Sequence, residues 1–149
     1  MAHKCFISFK TEDITYKEEI QNNLDVDMIV KHDIADLFNK IDISDYSIAA
    51  VTDYCMKNFI NLHIRSNDKT GGLDSLEYLK NYLCMRNPEN YFQSGLLLIN
   101  INKIKKNNIQ PKLIMKIIEK EYWFPDQDIL NVIFENDVLY LDDRWNILN

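Results

Sequence analysis

Residues 95–101, GLLLINI, are the most apolar run of the chain. Leucine and isoleucine occupy successive rather than alternate positions there. This pattern predicts a strand buried on both faces, of the kind found inside sheets covered by helices. The rest of the chain must then supply neighbouring strands and the helices that cover them.

Residues 4–9, KCFISF, alternate and are rich in strand formers, and residues 14–24 carry apolar side chains at helical spacing. Ile34, Leu37 and Phe38 predict a short amphipathic helix, and residues 46–51, YSIAAV, a buried strand ending at Thr52 and Asp53. The stretch 59–70 is polar and ends in Gly71-Gly72, a loop signal. Residues 73–85 read as a helix that Asn87-Pro88 stops. Residues 104–121 read as one or two helices, with Pro111 in the first turn of the second, where its missing N–H costs nothing. Asp126-Gln127-Asp128 opens a further helix with apolar residues through Phe134, and residues 138–141 form a last strand. This alternation predicts an α/β layered domain with a mainly parallel sheet, whose sites gather at the carboxyl ends of strands.

Composition narrows the function. A net charge of -6 with basic residues scattered among acids is unlike a nucleic-acid footprint, which needs lysine and arginine clustered on one face. No stretch has the roughly 18 consecutive apolar residues of a membrane span, so no transmembrane segment is expected and a cytosolic location is the default. Cys5, Cys55 and Cys84 are odd in number and lack metal-ligand spacing, which predicts reduced, partly buried thiols. The three histidines stand alone and read as surface or packing groups.

Asp25-Val26-Asp27 is the feature with chemistry in it. In extended backbone its two carboxylates share one side and could hold one divalent cation, and hard oxygen ligands suit Mg²⁺ or Mn²⁺. Such an ion would neutralise charge on a departing nucleotide diphosphate. The plain alternative is an ordinary turn or helix cap, which aspartate occupies readily. Likewise, Asp126 and Asp128 could simply cap the helix that follows, and Tyr91 and Phe92 could simply be core aromatics.

Longer strings bear on these readings and leave both kinds open. Residues 24–38, LDVDMIVKHDIADLF, resemble the metal-binding motif of glycosyltransferase family 8 with its following strand and helix. YSIAAVTD at 46–53 resembles the family's next strand, and NPENYFQSGLLLIN at 87–100 its sugar-site segment and core strand. FPDQDILNVIF at 124–134 and YLDDRWN at 140–146 resemble its D-Q-D-x-L-N block and the Trp-Asn beyond it. The resemblance implies a partial GT-A, Rossmann-like α/β fold over residues 24–149 as a single unit. It implies Asp25 and Asp27 as ligands of Mn²⁺ or Mg²⁺, and Asp53, Gln93, Ser94, Gly95, Asp126 and Gln127 as donor-sugar residues, with Asp126 and Gln127 at the catalytic centre. The implied activity is metal-dependent transfer of a hexose from a UDP-sugar, with retention, to a saccharide or lipopolysaccharide-type acceptor, in the cytoplasm or on the inner face of the membrane.

Three departures accompany the resemblance. Gln93 stands where the family usually has Asn, only about two dozen residues precede Asp25, and the family's last metal-ligating histidine would fall beyond Asn149. A truncated nucleotide site is therefore expected. Residues 1–28 instead resemble the opening strand and helix of TIR-like domains, with 1–23 as a separate start, which keeps a signalling or interaction module as the alternative.

Overall fold

The computed structural model describes residues 4–5, 34–65 and 70–145. The predicted strand at 46–51 forms as β2 (Ile48–Thr52), and the apolar run extends into a longer strand, β3 (Phe92–Asn100). With β1 (Lys4–Cys5) and β4 (Val138–Tyr140) they make a sheet of order β1-β3-β2-β4. The rest of the predicted 4–9 strand, the 14–24 helix, and Asp25 and Asp27 lie outside the described residues.

The α/β class is as expected, but the pairing is mixed. β2 and β4 are parallel, whereas β3 runs antiparallel to both β1 and β2. Strand-helix alternation predicts parallel strands only when the helix crosses back over the sheet. The elements between β2 and β3 instead return the chain into β3 at the end where β2 finishes, and there the Asp53 N–H donates to the Tyr91 carbonyl at 2.9 Å. The carboxyl end of β2 thus lies beside the amino end of β3.

Ala49 and Ala50 of β2 face Leu98 and Leu97 of β3, small residues opposite large ones. A register shift between Ala50 and Thr52 then brings Thr52 opposite Phe92. One sheet face carries Ile48, Ala50, Phe92, Leu97 and Ile99 against α4 (Ile101–Lys106), α5 (Ile109–Glu119) and α6 (Pro125–Phe134). The other carries Ala49, Val51, Leu96 and Leu98 against Leu37 of α1 (Ile34–Lys40), Ile43 and Leu141. A third apolar cluster joins Met56, Tyr78, Leu79, Tyr91 and Ile129 beyond the sheet end.

Three local outcomes differ from the sequence reading. An unanticipated helix, α2 (Tyr54–Asn61), starts directly after β2, because Asp53 leaves the strand to cap it. The single helix expected at 73–85 is broken up. A capping box between Asp74 and Glu77 starts α3 (Ser75–Glu77), a π-helical turn spans Tyr78–Tyr82, and Cys84 ends it at φ +63°. Cys55 and Cys84 are exposed rather than partly buried, since one lies on the outer side of α2 and the other in that left-handed exit. Gly71 and Gly72 turn the chain with φ of +77° and +67°, and Pro111 occupies the first turn of α5 as expected.

Candidate active site

Asp53 ends β2 and caps α2, its Oδ1 accepting from the Met56 N–H at 2.9 Å. This use of one oxygen leaves Oδ2, which accepts from Gln127 Nε2 at 2.8 Å. The other end of the Gln127 amide reaches β3, where Oε1 accepts from the Ser94 N–H at 2.9 Å. A backbone N–H can only donate and an ionised carboxylate only accept, so these two partners fix which way the amide points. The Ser94 hydroxyl donates to Asp126 Oδ2 at 2.9 Å and lies 3.4 Å from Gln127 Oε1. Asp53, Ser94, Asp126 and Gln127, read from three separate strings, therefore form one linked group.

The antiparallel return of β3 explains the meeting. Asp53 comes from the end of β2, Ser94 from the start of β3, and Asp126 with Gln127 from the first turn of α6, where Pro125 supplies the opening helical position. Asp53 is 7% exposed, Gln127 is half-buried and Asp126 is exposed, so the group runs from the interior to the surface. Among the described residues neither Asp53 nor Asp126 forms an ion pair. Carboxylate and amide oxygens have more than one lone pair each, so those already engaged here can accept a further hydroxyl donor.

Gln93 and Gly95 flank Ser94 on β3. Gln93 is 7% exposed, and its Oε1 is buried with no hydrogen-bond partner among the described residues. A buried acceptor left open costs stability and marks a place where a ligand or water donor would be welcome.

Behind this group lies a polar knot that sequence reasoning missed. Asp128 is fully buried and accepts from the hydroxyls of Tyr78 and Tyr91, each at 2.6 Å, and from the Phe124 N–H at 2.9 Å. Tyr78 Oη in turn accepts from the Trp123 N–H at 2.9 Å, and its ring stacks on Trp123 at 4.1 Å. Asn131, one turn along α6, accepts from the Phe92 N–H and donates to the carbonyls of Phe92 and Gln127. Burial pushes the Asp128 carboxyl above its usual range, opposed by the hydrogen bonds from Tyr78, Tyr91 and the Phe124 backbone. Burial and the Asp128 charge together raise both phenols. The available signal was a polar pair three residues apart, Asp128 and Asn131, within a helix of otherwise apolar periodicity. Asp128 does satisfy a free N–H at the start of α6, as the capping alternative held, but Asp126 turns to Ser94 instead. Tyr91 and Phe92 are buried core aromatics.

Among the described residues no three histidine, cysteine, aspartate or glutamate side chains come close enough to hold a metal ion, and no helix is long and apolar enough to cross a membrane.

Residues 23–149 match glycosyl transferase family 8. The chain belongs to glycosyltransferase family 8. A Haemophilus influenzae protein to which glycosyltransferase activity is ascribed is 34% identical over 125 residues, covering 83% of this chain and 32% of its own length. Glycosyltransferase GlyA of Streptococcus pneumoniae serotype 4 is 30% identical over 98% of this chain and 17% of its own, so that match takes in the N-terminal stretch as well. In the apo structure of the bifunctional glycosyltransferase WbbM, 33% identical, 78% of this chain superimposes on 20% of that one with a TM-score of 0.74. An active-site mutant of LgtC, Q189E, aligns at 25% identity with a TM-score of 0.59, over 81% of this chain and 38% of its own. The chain thus spans well under half the length of the family 8 relatives it matches. These similarities support the GT-A architecture expected from the sequence, and none of them supports the TIR-like alternative.

Proposed function

We propose that this family 8 chain contributes the donor-sugar side of a glycosyltransferase that moves a hexose from a UDP-sugar to a saccharide or lipopolysaccharide-type acceptor with retention. The observation that carries the reading is the linked group of Asp53, Gln127, Ser94 and Asp126, which offers carboxylate and amide acceptors to sugar hydroxyls. A structure of LgtC in complex with donor and acceptor sugar analogues is similar to this chain in fold, with a TM-score of 0.53.

In this reading Asp126 and Asp53 accept hydrogen bonds from hydroxyls of the transferred sugar, and Gln93 Oε1 takes a further one. Gln127 presents its carboxamide near the anomeric carbon, held there by Ser94 and Asp53. A carboxamide is a weak nucleophile, so its part is to stabilise the oxocarbenium-like state by its dipole rather than to form a bond. The bond from the anomeric carbon to the phosphate oxygen breaks, the acceptor oxygen bonds to that carbon on the same face, and the departing diphosphate takes the acceptor proton. Asp25 and Asp27, hard oxygen donors one residue apart, would hold Mn²⁺ or Mg²⁺, whose charge would neutralise that developing on the diphosphate. The reading includes a location in the cytoplasm or on the inner face of the membrane, which fractionation of cells tests directly.

Titration calorimetry of the purified protein with UDP, with and without Mn²⁺, tests the reading. Metal-dependent binding that Asp27→Ala abolishes is the expected result. Absence of metal-dependent binding would remove the nucleotide-sugar reading from this chain.

A further inference from the structure

Asp128 has no means of touching a substrate. Its side chain is fully buried, Oδ2 is occupied by the Tyr78 hydroxyl and the Phe124 N–H, and Oδ1 by the Tyr91 hydroxyl. A carboxylate kept in the interior costs desolvation, and an apolar side chain would fill the same space without that cost. Its partners show what it does instead.

Tyr91 grips Asp128 with its hydroxyl while its backbone carbonyl accepts from the Asp53 N–H at 2.9 Å. Its neighbour Phe92 is tied at both backbone groups to Asn131, three residues beyond Asp128 on the same helix. Tyr78 projects from a π-helical turn, an irregularity that recurs at functional positions, and it holds the Trp123 N–H as well as Asp128. Each strand that feeds the site is therefore tied back, in one or two steps, to the inner side of α6.

We propose that Asp128 is a positioning residue for the sugar site, clamping the first turn of α6 to Tyr78 and Tyr91 and so fixing where Asp126 and Gln127 meet Asp53 and Ser94. The functional half of this inference rests on the donor-sugar reading above; the structural half does not.

The test is residue-resolved amide hydrogen exchange at Ser94, whose N–H is held by Gln127, combined with UDP and UDP-hexose binding and turnover. Asp128→Asn keeps the shape but puts an amide NH₂ where phenol hydroxyls donate. It is expected to raise Ser94 exchange by about tenfold relative to the Ala49 and Leu98 amides of the sheet, a loss of one well-formed hydrogen bond. UDP affinity should stay unchanged while kcat for the hexose falls. Leu37→Ala, on the far face of the sheet, lowers overall stability without touching the clamp and serves as the comparison. Tyr91→Phe, which removes one donor and keeps the packing, should show a smaller effect of the same kind and covers the case in which Asp128→Asn fails to fold. Ser94 exchange that stays at the wild-type level, or rises only in step with Ala49 and Leu98 as in Leu37→Ala, would overturn the proposal. If the wild-type protein binds no UDP-hexose, the donor-sugar reading fails while Ser94 exchange still decides the clamp.

Discussion

Gln93 carries two opposed consequences of one buried atom. Its Oε1 has no partner among the described residues, so in the free protein it contributes a penalty of about 1 kcal/mol or more. Replacing it with methionine, of similar length and without the orphaned acceptor, is expected to raise the thermal midpoint while weakening donor-sugar binding. A variant that gains stability and binds the donor unchanged would show that the acceptor has no ligand to serve. Much of the site was legible at this scale. Asp53, Ser94, Asp126 and Gln127 stand in strings that resemble glycosyltransferase family 8, and the structure brings those four side chains together. The partnership of Tyr78 with Asp128 was not, because it spans 50 positions and only the Asp128 end leaves a local trace, a polar pair with Asn131 on an apolar helix. Asp25 and Asp27 lie outside the described residues.

Elements show where periodicity suffices and where it does not. β3 follows from its continuous apolar run, and α5 and α6 from apolar residues at helical spacing, with Pro111 in the first turn of one and acidic residues in the first turn of the other. The direction of β3 does not follow, because antiparallel and parallel strands buried on both faces read alike. Nor does the π-helical turn at Tyr78–Tyr82, since its Tyr78 and Leu79 are buried as they would be in a regular helix. The loop before α3 allows a sharp check on backbone preference. A Cβ at Gly71 would meet nothing within 4 Å, yet φ is +77°. Gly71→Ala should therefore cost about 1 kcal/mol through conformation alone, measurable as a lower urea midpoint with an unchanged slope.

At the scale of the molecule, sheet and helices are joined by a polar contact opposite in kind to the buried one. Asp137, just before β4, accepts from the Ser47 hydroxyl and from Lys103 of α4, each at 2.5 Å. Burial pushes its carboxyl up, but the hydrogen bonds from Lys103 and Ser47 and the lysine charge outweigh that and hold it below the usual carboxylate range. A depressed carboxylate contributes stability that is complete above its unfolded value, about 3.9, and is lost as pH falls through the folded one. Asp137→Asn should accordingly lower the thermal midpoint at pH 7, with the gap to wild type closing in scans carried below about pH 4. One contact also makes the molecule observable without labels. The indole of Trp123 lies flat on Tyr78, 6° from parallel, and donates its ring N–H to Thr70. With Trp145, the second tryptophan of the chain, replaced by phenylalanine, the emission of this single fluorophore becomes an optical gauge of the interior behind Asp126 and Gln127, read in real time as a candidate nucleotide sugar is added.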